Sequence, residues 1–113
     1  MDKLTKYRTL IKRILSDLAA LVNRQPTPGV ETLCIFDDER GHYVLLDLGW
    51  SEDQRVQNTM VYVRINNGKF WIEEDWTEEG ITKDLLKAGV PNEDIVLAFQ
   101  HPEMRPLTDF AVA

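Results

Sequence analysis

At 113 residues, with 43% hydrophobic and 28% charged side chains, the chain has the size and composition of one soluble domain, able to bury roughly two-thirds of its unfolded surface. That composition excludes a disordered segment, and no apolar window is long enough for a membrane-spanning helix. The net charge of −6 repels nucleic acid on average, yet residues 1–25 carry six basic and two acidic side chains (net +4) against seven and seventeen in the rest (net −10).

The N-terminal segment MDKLTKYRTLIKRILSDLAALV spaces Leu4, Tyr7, Leu10, Ile11, Ile14, Leu15, Leu18, Leu21 and Val22 at three- and four-residue steps, which predicts an amphipathic helix. Pro26, Pro28 and Gly29 mark its end. Lys6, Arg8, Lys12, Arg13 and Asp17 interrupt any signal-peptide core, so a cytoplasmic helix is expected. At about 100° per residue, Lys6, Arg13 and Arg24 border one side of the apolar stripe and Arg8 and Lys12 the other. Cations split in this way favour aliphatic stems lying over apolar surface above a DNA-facing row, although these five remain the candidate nucleic-acid contacts.

Cys34 is the sole cysteine and sits in the apolar run LCIF, where a small buried residue is expected. ETLCIFDDERGHYVLLDLGW reads as two strands joined by a polar turn containing Asp38 and Gly41. In VYVRINNGKFWIEED, Asn67-Gly68 signals a two-residue type I′ hairpin. An unbroken register then sets Ile65 opposite Phe70, Val63 opposite Ile72 and Val61 opposite Glu74. Arg64 faces Trp71 and Tyr62 faces Glu73 on the other side. Val44, Leu46, Leu48 and Trp50 alternate with Tyr43 and Leu45, so the sheet is apolar on both faces. Two helices or a second subunit must cover it, and a homo-oligomer is expected.

The acidic stretch FWIEEDWTEEGIT raises the question of a catalytic or metal site. Most of it follows from helix-start rules: Thr77 as N-cap, Trp76 and Ile81 as a hydrophobic staple, Glu78 and Glu79 in the first turn. Glu79 precedes Lys83 by four residues, and Gly89 is placed to end the helix with Val90 packing back on Leu85. Asp75 is left as an alternative cap or a functional carboxylate. His42 and His101 are the only histidines, neither in a ligand-spaced motif, so no metal, cofactor or catalytic residue is assigned. No phosphate loop, nucleophile elbow or Cys–His pairing is present. A hydrolase built on Asp75, Glu73 and a histidine ranks last. The fold expected is a single α+β domain over residues 1–113: a long N-terminal helix on a mainly antiparallel sheet, then a short helix, a final strand and a C-terminal tail.

Four ordered blocks, ERGHYVLLDLGW, GKFWIEEDWTEEGI, LLKAGVPNEDIVLAF and HPEMRPLTDFAVA, resemble the XisI family, the fdxN-element excision controlling factors of cyanobacteria, over nearly the whole chain. The chain departs from the family pattern at Trp76, Ala98 and Gln100. The resemblance implies an accessory role in programmed excision of a DNA element during heterocyst differentiation, beside a site-specific recombinase and the companion protein XisH. It brings no catalytic residue. The expected partner is an XisH-like protein, with Tyr62, Arg64 and Trp71 on the second sheet face, Asp75, and the tail residues His101 and Arg105 as interface candidates.

Overall fold

The structure, a computed structural model, describes residues 2–113. Helix α1 (Lys3–Val22) starts on Asp2, whose carboxylate accepts the Thr5 N–H at 2.8 Å, filling one of the orphan donors of a helix start. Its apolar stripe buries Tyr7, Ile11, Ile14, Leu15 and Ala19, while Leu4 and Leu21 at its ends stay exposed.

Five strands follow in simple order across one sheet: β1 (Val30–Asp37), β2 (His42–Ser51), β3 (Gln54–Asn66), β4 (Lys69–Asp75) and β5 (Ile95–Val96). The first four are antiparallel, and β5 joins β4 in parallel. Asn67 and Gly68, at φ 54° and 73°, form the expected turn. Gly41 (φ 77°) closes the first hairpin at a point where a Cβ would lie 2.6 Å from the Ile65 carbonyl oxygen, so any other residue there forces the β3 backbone aside. Strand β3 begins at Gln54, well before the run read from sequence, because Glu52 (φ 55°) makes a tight β2–β3 turn without glycine or asparagine.

The β3–β4 register departs from expectation. Arg64–Trp71, Val63–Ile72 and Ile65–Phe70 pair as read, but a bulge at Glu73 sets Tyr62 opposite Glu74 and Val61 opposite Asp75. A matching irregularity on β3 carries Met60 past β2. One extra residue turns each strand locally and increases its twist. The faces stay segregated: Tyr43, Leu45, Val61, Val63, Ile65, Phe70 and Ile72 are buried under α1 with Ile81, Leu85, Val90 and Ile95. The Cys34 thiol is half-buried, donates to the Leu15 carbonyl and is raised in pKa by that burial.

Helix α2 (Ile81–Lys87) starts three residues later than the Thr77 cap predicts, with Gly80 in the N-cap position. The side chain that caps the first helical amide is Asp75: one carboxylate oxygen accepts the Ile81 N–H at 2.8 Å, the other the Thr77 N–H at 3.0 Å and hydroxyl at 2.6 Å. Thr77 Oγ1 in turn accepts the Gly80 N–H at 3.1 Å. Trp76 is 75% exposed, so no staple forms, and Glu78 and Glu79 precede the helix, Glu79 meeting Lys83 at 3.2 Å. Gly89 (φ 94°) ends α2 as expected, with Val90 N–H on the Leu85 carbonyl and Gly89 N–H on Leu86, the paired bonds of a Schellman ending. Replacing Asp75 by alanine is expected to lower unfolding free energy by about 1 kcal/mol and to speed amide exchange at Thr77 and Ile81. Urea denaturation and hydrogen exchange read the two effects.

Candidate functional site

Both helices bury side chains in one core on one side of the sheet, so neither covers the other face. That helix-free face is laid out by the cross-strand pairs. One row runs Asp37, His42, Arg64, Trp71, and the next Ile35, Val44, Tyr62, Glu74. Beyond them come Leu33, Leu46, Thr59, then Glu31, Leu48, Gln57, and finally Trp50 with Arg55. Ile35 and Trp50 are more than half exposed.

Three of the predicted interface residues meet at one end of this face. The Arg64 guanidinium lies 5.9 Å from the Trp71 ring centre while its Nε donates to Glu73 at 3.0 Å. Arg105 approaches the same ring at 5.8 Å and donates to the carbonyls of Gln100 and Ala98 at 3.1 and 3.2 Å. Trp71 Nε1 donates to the Asn66 carbonyl at 3.1 Å. Two arginines therefore hold the indole by cation–π contact, each worth about 0.5–1 kcal/mol at a half-exposed site. Tyr62 lies beside them, and its hydroxyl shares a 2.8 Å hydrogen bond with His42 Nδ1. The alternating pattern already set Glu73 on this face, opposite Tyr62; the bulge that brings it to Arg64 was invisible there, as was the His42–Tyr62 hydrogen bond.

Two candidates fall outside it. The Asp75 carboxylate is spent on capping α2, and His101 makes a local turn, its exposed Nδ1 accepting the Glu103 N–H at 3.1 Å. Neither is tied to Arg105, which pins the tail through main-chain carbonyls instead. Asp75, Glu73 and the histidines do not converge: among the described residues no three His, Cys, Asp or Glu side chains are placed to hold a metal ion.

The cations of α1 are likewise divided. Lys12 donates to Asp38 at 2.6 Å, beside the Tyr43 hydroxyl at 2.8 Å. These hydrogen bonds, Lys12 first, hold the Asp38 carboxyl below its usual range. Arg8 is half-buried, and Arg13 lines a cleft of about 350 Å³ between α1 and α2 together with Asp17, Asp84 and Lys87. Lys6 and Arg24 are exposed. No helix among the described residues is long and apolar enough to cross a membrane.

These features define a small α+β domain with one helix-covered face and one open face that concentrates aromatic and arginine side chains. The chain belongs to the XisI family: residues 1–112 match the family described as XisI protein. It is similar to the crystal structure of the fdxN element excision controlling factor XisI from Anabaena variabilis, with 44% identity, a TM-score of 0.87, and coverage of 99% of this chain and 100% of that one. A XisI-like protein from the same species is 35% identical with a TM-score of 0.91, over 97% and 99% of the two chains. These are names of a controlling factor rather than an enzyme, and the family points to excision control. No functionally curated protein matches the chain.

Proposed function

We propose that this protein is a non-enzymatic accessory factor in programmed excision of a DNA element, acting in the cytoplasm as a homo-oligomer that docks an XisH-like protein. The observation carrying this reading is Trp71, held half-exposed between Arg64 and Arg105 on a sheet face that no helix covers. Aromatic and arginine side chains fixed in place lose little conformational freedom on binding and dominate interface energetics. Duplex binding by Lys6, Arg8, Lys12, Arg13 and Arg24 has less support, because Lys12 is paired with Asp38 and Arg8 is half-buried.

Size-exclusion chromatography with light scattering, run on this protein mixed with the XisH-like protein encoded nearest to it, tests the reading. One heavier co-eluting species is expected, weakened at least tenfold, about 1.4 kcal/mol or more, by Trp71→Ala. Separate elution together with salt-sensitive duplex binding would replace it by direct DNA contact, since phosphate contacts weaken steeply as salt rises.

A further inference from the structure

The helix-free face is divided along its width. Leu33 and Ile35 of β1 with Val44, Leu46 and Leu48 of β2 form a continuous apolar strip, whereas Arg64, Trp71 and Glu73 lie beyond it on β3 and β4. Charges stand only at the strip's ends, with Asp37 and Arg64 at one and Glu31 and Arg55 at the other. An apolar centre with a charged rim is the anatomy of a protein interface. At about 3.3 Å per residue and 4.8 Å between strands, the three strands that carry and flank the strip, β1–β3, project on the order of 500 Å². Counted for both partners, that projection falls at the small end of specific protein interfaces, and interdigitated side chains add to it.

We infer that a second copy of this chain covers this strip, face to face, about a twofold axis running along β2. This deepens the homo-oligomer reading above and names its surface. Charge decides the geometry. A twofold lying across the strands would superpose β1 on β1 in reverse; the register that sets Asp37 over Glu31 of the second copy, like against like, leaves Arg64 over its Gln57 with no opposite charge. The twofold along β2 places β1 over β3 of the second copy. Asp37 then meets Arg64, Ile35 meets Tyr62, Leu33 meets Thr59, Glu31 meets Gln57 near Arg55, and Val44, Leu46 and Leu48 each meet their own counterparts.

Asp37 and Arg64 are each about one-third exposed in their side chains, at 33% and 36%, so both can reach across. Sheets packed in this aligned manner lie about 10 Å apart and interdigitate their inner side chains. Strand β4 falls outside the overlap. Trp71 and Arg105 therefore stay open at both rims of the dimer, and one assembly accommodates self-association and a partner together.

Light scattering across a concentration series reads the mass. The protein is expected at twice its 13.1 kDa chain mass. Leu46→Asp, which sets two carboxylates against each other on the axis, is expected to halve it with unchanged circular dichroism. Asp37→Asn keeps the side-chain oxygen that accepts the Arg40 N–H but removes the charge. It is expected to weaken dimerisation several-fold at low salt and to flatten its salt dependence. A monomer at all concentrations would overturn both the inference and the homo-oligomer reading. An oligomer unaffected by Asp37→Asn and by a folded Leu46→Asp would overturn this surface alone. If Leu46→Asp fails to fold, Asp37→Asn decides.

Discussion

Phe70→Ala is expected to lower unfolding free energy by about 3–5 kcal/mol, the range for emptying a fully enclosed aromatic site. Phe70 has no exposed surface and lies on β4 between Ile65 of β3 and Ile95 of β5. Its ring centre is 4.5 Å from that of Tyr7 on α1, a tilted aromatic contact that itself contributes about 0.5–1.5 kcal/mol. The substitution thus removes the side chain where α1, the central hairpin and the parallel strand meet, and the rigid surroundings cannot collapse into the space. Against a total stability of about 5–15 kcal/mol, the variant should unfold at a much lower urea concentration. A loss below about 1.5 kcal/mol would mean that the α1–β4–β5 junction is loosely packed.

Asp94→Ala is expected to cost about 2–4 kcal/mol, from losing charge-assisted hydrogen bonds and stranding a buried hydroxyl. Asp94 is 8% exposed and accepts the Tyr7 hydroxyl at 2.6 Å and the Lys3 ammonium at 2.8 Å. It thereby ties the first turns of α1 to the short 3-10 turn Asn92–Asp94 that leads into β5. Burial, the largest single influence, pushes its carboxyl up. The hydrogen bonds from Lys3 and Tyr7, with the Lys3 charge, outweigh burial and leave the pKa below the ordinary 3.8.

The sign of the pH dependence follows. A depressed carboxylate contributes stability that is fully present above its unfolded pKa and is lost as pH falls through the folded value. The wild-type protein should therefore lose stability below about pH 4, and Asp94→Ala should lose less over the same interval. Tyr7→Phe supplies the control. Because Asp94 keeps Lys3, Tyr7→Phe should cost less than Asp94→Ala, about 1 kcal/mol. Denaturant titrations at pH 7 and pH 3 measure all three proteins.

How much of this was written locally can be judged element by element. Helix α1 was legible because its apolar period exceeds five turns and prolines follow it. The β3–β4 turn was legible because Asn67-Gly68 suits positive φ at two successive positions. The Schellman ending at Gly89 was legible for the same reason. The start of α2 was misplaced, since Thr77 and Asp75 are both competent caps. The choice went to Asp75, whose place opposite Val61 at the end of β4 aims its carboxylate at the Ile81 and Thr77 amides. The start of β3 was missed because Glu52 adopts positive φ without a residue type that announces it.

The candidate site divides in the same way. The sequence by itself determined that Tyr62, Arg64 and Trp71 would share the face opposite the helix, because strand alternation has a strict period of two. It also determined that the sheet would be apolar on both sides. Only the tertiary structure decided that α1 and α2 would cover the same side, that the Glu73 bulge would turn that carboxylate to Arg64, and that Arg105, far along the chain, would close on Trp71. Those outcomes depend on where separate segments come to lie in space, which no local period or propensity encodes.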